Sequence, residues 1–238
     1  MISEFSTLPD NLGARWQLLR HLALQWTGTA VTSGDGFPPE SIDQGQSDLH
    51  IEYPTALRDW YLLFGKLPVW SARYFFLGPC DAEFRDDLLT LYDEEGETWI
   101  AGIQRSEMHL DDPPIVVEIE GKRVVSDESV SAFAMHMFLH CLPNGRAFAT
   151  ATVDESTIKA IEGNYQPIGL PDWSWMDGSR FVGNSDIVIE FLWHDWMSVH
   201  ARKEREFREF MEFIAGQVAW NTTSDSWPPG WVTSKSDL

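Results

Sequence analysis

The chain has 238 residues, and its 37 acidic and 17 basic side chains give a formal net charge of −20 at pH 7. Such an excess of negative charge repels nucleic acid and anionic membrane surfaces, and it attracts basic partners. The hydrophobic fraction of 43% is ample for a buried core and excludes a wholly disordered chain.

Cysteine usage and the N-terminus predict a soluble protein of a reducing, cytoplasmic compartment. Cys80 and Cys141 lie far apart and form neither a Cys-x-x-Cys pair nor a disulfide framework. Residues 1–5 lack the basic and long apolar regions of a signal peptide. Every apolar stretch is shorter than the roughly 18 to 20 residues that cross a bilayer.

The first third of the chain predicts three helices. We expect Asp10 to cap the first helix and Gly28 to end it. Pro38 precedes a short second helix, and Pro54 begins a third, because a proline in the first turn loses no helical hydrogen bond. Gly65 is the expected C-cap of that third helix.

The pattern then changes from helical to extended. Residues 88–92 and 99–103 predict a hairpin around an Asp-Glu-Glu-Gly turn, and residues 115–119 and 124–125 flank a second turn. A helix over residues 130–142 follows, with apolar side chains at helical spacing.

The last part of the chain predicts a further strand, a short helix, two more strands and a charged helix. Their expected bounds are 148–153, 155–161, 186–193, 196–201 and 202–217. We expect this part to be built on the same sheet as the middle of the chain.

Helices before, within and after a mainly antiparallel central sheet predict an α+β fold. We predict a single domain over residues 1–220, in which residues 143–220 form a C-terminal extension. Residues 221–238 are rich in serine, threonine and proline and predict a flexible tail.

Acidic residues are concentrated in the middle of the chain. Residues 81–120 contain thirteen carboxylates against two arginines, Arg85 and Arg105, a net charge of −11. We expect the acidic side chains before, within and after the hairpin to gather at one end of the sheet. On composition alone, a solvated surface that promotes solubility is the favoured interpretation.

The stretch from Ile42 to Gly65 resembles the opening of the SUKH superfamily, where a short helix precedes a proline-led helix that ends in two aromatic residues and a glycine. The positions that carry this resemblance are Ile42, Leu49, Pro54, Leu57, Trp60, Tyr61 and Gly65. Tyr92, the acidic turn and Trp99 are similar to the next landmark of that superfamily, and residues 112–116 and 130–142 to its third strand and closing helix.

The resemblance covers about 100 residues, 42–142, in the order and spacing of the superfamily. One departure is the turn itself, where Glu95, Gly96 and Glu97 replace the Asn, Gln and Gly of many relatives and add negative charge. The superfamily includes fungal cell-wall signalling regulators and bacterial immunity proteins against polymorphic toxins.

The resemblance implies a SUKH-like sheet and a non-enzymatic immunity protein that docks on a basic toxin domain, without cofactor, metal, nucleic acid or membrane. A protein partner and a monomeric or weakly dimeric state are expected. The implied partner-binding residues are Asp93, Glu94, Glu95, Glu97, Trp99, Glu107, Asp111 and Asp112. For Trp99, as for Trp70 and Tyr74, burial in the core is the favoured alternative to an interface role.

Signatures of catalysis and metal binding are weak. His136 and His140 have a spacing that can chelate zinc, but without a His-Glu-x-x-His motif a surface or partly packed pair is favoured. His194, Asp195 and His200 could supply a general acid and base, but no nucleophile accompanies them. No nucleophile-elbow, phosphate-loop or dinucleotide motif is present, so we predict no enzymatic activity.

Two rival functions remain from the sequence. A regulatory scaffold of the same superfamily would bind a host protein instead of a toxin. A small hydrolase or carbohydrate-binding module would need a pocket, to which Trp173, Trp175, Trp193 and Trp196 could contribute. For these tryptophans, packing between the extension and the sheet is the favoured interpretation.

Overall fold

The structure, a computed structural model, describes residues 7–71, 75–94, 99–142, 147–173, 175 and 179–223. The chain divides into two compact units. The N-terminal unit is Pro9–Pro143, and the C-terminal unit is Asn144–Leu238 together with Met1–Leu8. The prediction of a single domain over residues 1–220 stays a prediction.

The predicted α+β class with antiparallel sheets is confirmed. The expectation that the C-terminal extension adds to the central sheet is wrong, because the described strands form two separate sheets. Its strands pair among themselves, since each one finds its hydrogen-bonding partner within residues 147–223.

Among its described residues, the N-terminal unit has four α-helices: α1 (Leu12–Thr27), α2 (Pro39–Leu49), α3 (Thr55–Phe64) and α4 (Val130–His140). Asn11, and not Asp10, caps α1, because its extended backbone directly precedes the helix and its side chain accepts the N–H of Ala14 at 2.8 Å. Gly28, with a φ of 74°, ends this helix as predicted.

In the part of the chain that the structure describes, the sheet of the N-terminal unit has six strands. They are β1 (Phe75–Phe76), β2 (Glu83–Arg85), β3 (Leu88–Asp93), β4 (Trp99–Gln104), β5 (Pro114–Ile119) and β6 (Lys122–Ser129). Their order is β1-β3-β4-β5-β6, and β2 also pairs with β3. The predicted β3–β4 hairpin is confirmed, with Asp93 opposite Ile100.

The inner face of this sheet packs on aromatic side chains from the helices. The ring of Trp60 lies 4.8 Å from Phe76 and 5.3 Å from Trp70, and Phe76 lies 5.1 Å from Tyr92. The side chains of Trp60, Trp70 and Tyr92 are fully buried. This cluster fixes the sheet against α3 and leaves the opposite face to the charged residues.

The β2–β3 hairpin leans over the outer face of the sheet. Leu88, at the start of β3, packs with Ile100 and Val116 in a small buried cluster on that face. Gly102 lies between them, where a side chain would collide with the carbonyl of Leu89 and lie 3.0 Å from Cγ of Leu88. The absence of a side chain at position 102 therefore lets the hairpin approach.

Over residues 147–173, 175 and 179–223, the C-terminal unit has two helices and a second six-stranded sheet. Its elements are β7 (Ala147–Thr152), α5 (Glu155–Glu162), β8 (Gln166–Pro167), β9 (Arg180–Asn184), β10 (Ile187–Leu192), β11 (Trp196–Ala201), α6 (Glu204–Phe213) and β12 (Ala219–Thr223). The strand order is β12-β7-β11-β10-β9-β8. Ile158 of α5 and Phe210 of α6 pack on Ile189 and Val199 in its core.

The predicted tail begins too early, because residues 221–223 form the end of β12, where Thr222 lies opposite Thr150 of β7. A three-residue stretch of Asn and Thr carries little strand signal, and its pairing depends on the neighbouring strand. Within the described ranges, every helix is too short or too polar to cross a membrane.

Candidate functional site

Seven charged side chains meet on the outer face of the N-terminal sheet. We call them the sheet-face network: Glu83, Arg85, Asp86, Asp87, Asp93, Glu118 and Arg123. The register places Asp93, Glu118 and Arg123 in one row across β3, β5 and β6, with Ile100 of β4 between the first two. The leaning β2–β3 hairpin supplies the other members.

Arg85 holds the first half of the network together. Its Nη2 lies 2.6 Å from Oδ2 of Asp93, and its Nε lies 3.1 Å from Oε1 of Glu83. Burial opposes the charge of Arg85, but hydrogen bonds to the two carboxylates outweigh it and raise the pKa of the guanidinium. Asp93 is thus committed to an internal ion pair.

Arg123 holds the second half. Its Nε lies 2.8 Å from Oε2 of Glu118, its Nη1 contacts Oδ1 of Asp87, and its Nη2 lies 3.7 Å from Oδ2 of Asp86. The hydrogen bond from Arg123 lowers the pKa of the Asp87 carboxyl. Nη2 also donates to the carbonyl of Arg85 at 3.2 Å, which joins the two halves.

The network therefore contains five carboxylates and two guanidinium groups, so the two arginines compensate two of its five negative charges. The count of acidic residues over 81–120 therefore overstates the negative charge that this face presents to a partner, because Arg123 lies outside that stretch of sequence. The predicted gathering of the acidic groups before and within the hairpin does occur for Glu83, Asp86, Asp87 and Asp93, whereas Asp81 lies beside α2.

The expectation that Asp111 and Asp112 join the same end of the sheet is wrong. Both precede β5, whereas Ile119 at the far end of β5 pairs with Trp99 beside the acidic turn. A strand of six residues separates these two ends by roughly 16 Å. The two aspartates instead hold the first turns of two helices.

Asp111 anchors α3 and Asp112 anchors α4. Oδ1 of Asp111 accepts the hydroxyl of Thr55 at 2.7 Å. Oδ1 of Asp112 accepts the N–H of Ser131 at 2.9 Å, and its Oδ2 lies 3.0 Å from Nη1 of Arg15. The side chains of Arg15 and Asp112 are only 17% and 19% exposed, so their role in the structure is to connect α1, α4 and β5.

The remaining predicted partner-binding residues differ in position. Burial raises the pKa of Glu94, which is half-buried beside the turn. Glu107 is also half-buried and lies in a short helical turn after β4. Trp99 is 6% exposed, so it lies in the core, the alternative favoured for it. Glu95, Glu97 and Tyr74 lie outside the described residues.

A second acidic surface, which the sequence analysis missed, lies along α2. We call it the α2 carboxylate row: Glu40, Asp43, Asp48 and Glu52, all exposed. No ion pair joins any of the four to a cation in the part of the chain that the structure describes. The sequence feature that could have predicted this surface is the complete absence of Lys and Arg from residues 39–53. A count of acidic residues alone does not reveal it.

The α2 carboxylate row continues into the acidic stretch at Asp81. The hydroxyl of Tyr53 donates to the carbonyl of Pro79 at 2.8 Å, and Sγ of Cys80 donates to the carbonyl of Ser41 at 3.3 Å. These bonds place the exposed Asp81 beside α2. The N-terminal unit therefore presents an uncompensated acidic surface along α2.

The histidine pair on α4 is buried, so the expectation of a surface or partly packed pair is wrong. His136 and His140 are 0% and 2% exposed. Nδ1 of His136 lies 2.7 Å from Oε1 of Glu128, which is itself fully buried. No group of three or more potential metal ligands occurs among the residues that are described.

The acid–base arrangement considered for the C-terminal unit is not assembled. His194 and Asp195 lie in the exposed turn before β11, whereas His200 lies near the other end of that strand. His200 is 3% exposed and its ring packs 4.8 Å from Phe148. The length of β11 therefore separates the two histidines.

An apolar groove of about 560 Å³ lies between the end of α1 and residues 67–69. Ala23, Val31 and Val69 contribute to its lining, and the carboxylate among the lining residues is Asp35. Oδ2 of Asp35 accepts the backbone N–H of Thr32 at 2.7 Å and its hydroxyl at 2.8 Å, which lowers the pKa of Asp35. The lining has neither the histidine nor the tryptophan that the hydrolase and carbohydrate hypotheses need.

Comparisons of the chain with protein-family models, with curated proteins and with solved structures found no match. The charges and contacts described above are therefore the basis for assigning a function. These charges and contacts form surfaces suited to binding more clearly than they form sites suited to catalysis.

Proposed function

We propose that this protein acts by binding, as a cytoplasmic immunity protein of the SUKH type that neutralises a basic toxin domain without catalysis. The acidic surface of the N-terminal unit would cover the cationic cleft of the toxin in a stoichiometric complex. The resemblance over residues 42–142 supports the kind of partner, and the α2 carboxylate row supports the mode of recognition.

The observation that carries the proposal is the uncompensated charge of the α2 carboxylate row. Residues 9–143 contain 22 acidic and nine basic side chains, a net charge of −13. The four carboxylates of the row lie exposed on or just after one helix, where no cation of the described structure pairs with them. Such a surface accelerates encounter with a positively charged partner and disfavours acidic ones.

The structure changes which residues the proposal assigns to the contact. Asp111 and Asp112 are engaged at helix N-termini, and Asp93 is engaged by Arg85, so these three are poorly suited to pair with a partner. Glu40, Asp43 and Glu52 have no such commitment and take their place. Glu94, beside the acidic turn, remains part of the proposed surface.

Co-expression with a toxin tests the proposal directly. The probe is the toxin domain encoded beside the gene for this protein, produced in a sensitive bacterium with and without the protein. We expect growth to be restored and the two proteins to copurify in equal amounts. Absence of a toxin gene there, or growth arrest despite abundant folded protein, would overturn the immunity function and favour a regulatory scaffold.

A charge variant localises the contact. Replacement of Glu40 and Glu52 by Gln, and of Asp43 and Asp48 by Asn, removes four charges with little change in shape. We expect protection to require a higher concentration of this variant than of the unaltered protein. Unchanged protection would show that the α2 carboxylate row is not the contact surface.

A further inference from the structure

The turn between β10 and β11 has a backbone that its sequence does not favour. Trp193 and His194 have φ values of 51° and 64°. Leu192 lies opposite Trp196, so the turn has three residues, and positive φ values favour Gly, Asn and Asp over bulky side chains. A bulky side chain in this region costs roughly 1 to 2 kcal/mol relative to the ordinary backbone regions.

The side chain of Trp193 does not offset that cost by burial. Trp193 is 57% exposed, the largest value for an aromatic side chain among the described residues. Phe75 follows at 54%. Half or more of the indole surface therefore contributes no hydrophobic stabilisation to the fold. A residue that is unfavourable for the backbone and little used by the core is best explained by a contact with another molecule.

Carboxylates surround this turn. Asp195 follows it directly and is exposed, and its carbonyl accepts the N–H of Val153 at 2.8 Å. That bond places the turn beside Asp154 and Glu155 at the start of α5. Asp154 caps α5 by accepting the N–H of Thr157 at 2.7 Å, and Glu155 pairs with Lys159 at 2.6 Å. Asp195 forms no ion pair with a cation in the described part of the chain.

We propose that Trp193 and Asp195 form a docking point for an arginine or lysine side chain of a basic protein segment. The face of an indole attracts a cation through its quadrupole, and tryptophan is the strongest of the aromatic residues in this respect. The adjacent carboxylate of Asp195 adds a charged hydrogen-bond acceptor for the same group. The proposal depends on the C-terminal unit alone and not on the α2 carboxylate row.

Fluorine NMR of protein labelled with 5-fluorotryptophan provides a readout specific to this site. The chain has twelve tryptophans, and loss of one resonance in Trp193→Asn assigns its signal. The probe is a short peptide of alternating arginine and glycine, and its counterpart has citrulline, which is neutral and nearly isosteric, in place of arginine. We expect the Trp193 resonance to shift with the arginine peptide and to stay in place with the citrulline peptide.

Two variants complete the test. Trp193→Asn should weaken binding of the arginine peptide about two- to fivefold and raise the melting temperature by about 2 °C, because Asn tolerates a positive φ. Phe75→Asn, which removes an equally exposed aromatic ring, should leave the affinity unchanged. The proposal would be overturned if the Trp193 resonance did not shift, or if it shifted equally with both peptides. It would also be overturned if both variants lost the same affinity for the arginine peptide, or if Trp193→Asn lowered the melting temperature.

The outcome is separable from that of the immunity function. The fourfold neutral variant of the α2 carboxylate row should retain the shift of the Trp193 resonance. Retention of the shift in a protein that fails to protect against the toxin would leave the docking point intact and reject only the immunity function. Loss of the shift in that variant would count against the docking point as described.

Discussion

The sheet-face network and the α2 carboxylate row use the same acidic residue types with opposite results. In the network, Arg85 and Arg123 each contact at least two carboxylates, so much of the negative charge is neutralised locally. Along α2 no cation approaches the four exposed carboxylates within the described structure. Local acidity in a sequence is therefore a poor measure of the charge that a folded surface offers.

Asp112 adds a third situation to this comparison. It is nearly as inaccessible as its partner Arg15, and it also accepts the N–H of Ser131 at the start of α4. Its charge is used to hold secondary structure elements together. Substitutions at the three kinds of position should consequently differ in kind as well as in size.

Removal of the Asp112 carboxylate should have the largest effect. Asp112→Ala leaves the guanidinium of Arg15 partly buried without its counter-ion and uncaps α4, so we expect a loss of about 3 kcal/mol in the free energy of unfolding. Urea denaturation measures it. The matched control is Asp43→Asn on α2, which should change stability by less than about 0.5 kcal/mol. Similar losses in both variants would remove the distinction between structural and surface carboxylates.

Removal of the Arg123 guanidinium should have the next largest effect. Arg123→Met leaves Asp87 and Glu118 close together without a shared cation, and we expect a smaller loss of stability than in Asp112→Ala, measured as a lower urea midpoint at low salt. Added salt should reduce this loss, because it screens the repulsion. Lys122→Met, one residue earlier on β6, is the control and should be nearly neutral. Equal effects of the two variants would show that the network does not stabilise the sheet.

Neutralisation of the α2 carboxylate row should act on association and not on folding. With the four substitutions described above, we expect association with a basic toxin to slow about tenfold at low salt, and its salt dependence to flatten. Stopped-flow mixing measures the rates. The charge-matched control replaces four glutamates of α6, Glu204, Glu206, Glu209 and Glu212, by Gln. A tenfold slowing there as well would mean that net charge alone, and not the row, governs encounter.

Acidification should produce the smallest and most gradual effect. Because the pKa of Asp87 lies below its ordinary value of 3.8, the pair with Arg123 contributes stability at higher pH and loses it as pH falls through the lowered pKa. The difference in stability between the unaltered protein and Arg123→Met should then be constant down to about pH 4 and shrink below it. Denaturation midpoints across this range test the sign. A difference that widens in acid would contradict the assignment.

Local signals predicted much of the fold. Pro54, Gly28 and the turn before Trp99 mark boundaries that depend on backbone constraints within a few residues, and the structure places helix and strand ends there. Short strands such as β2 and β12 were missed. β2 has three residues and the last three of β12 are polar, and such segments become strands only when a neighbouring strand offers hydrogen bonds. The division into two sheets was also missed, because it depends on which strands pair with each other, and the periodicity of apolar residues does not contain that information.

The candidate site was predictable in composition but not in pairing. The acidic stretch was evident, yet Arg123 lies 36 residues from Asp87, and Arg15 lies 97 residues from Asp112. Distant contacts of this kind determine which carboxylates are neutralised, and no sequence window contains both partners. The acidic side of α2 was within reach, because an uninterrupted absence of cations is a local property.

Gly102 makes the electrostatics of the outer sheet face depend on a residue without charge. Any side chain there would meet the Leu89 carbonyl and lift the leaning hairpin away from the sheet. Arg85 and Arg123 would then lose their common anchorage, and the aspartates that they hold would be released toward solvent. A neutral substitution at one buried position would thus free carboxylates that are now held in ion pairs, and so alter the surface offered to a partner while every ionisable residue and the net charge stay the same.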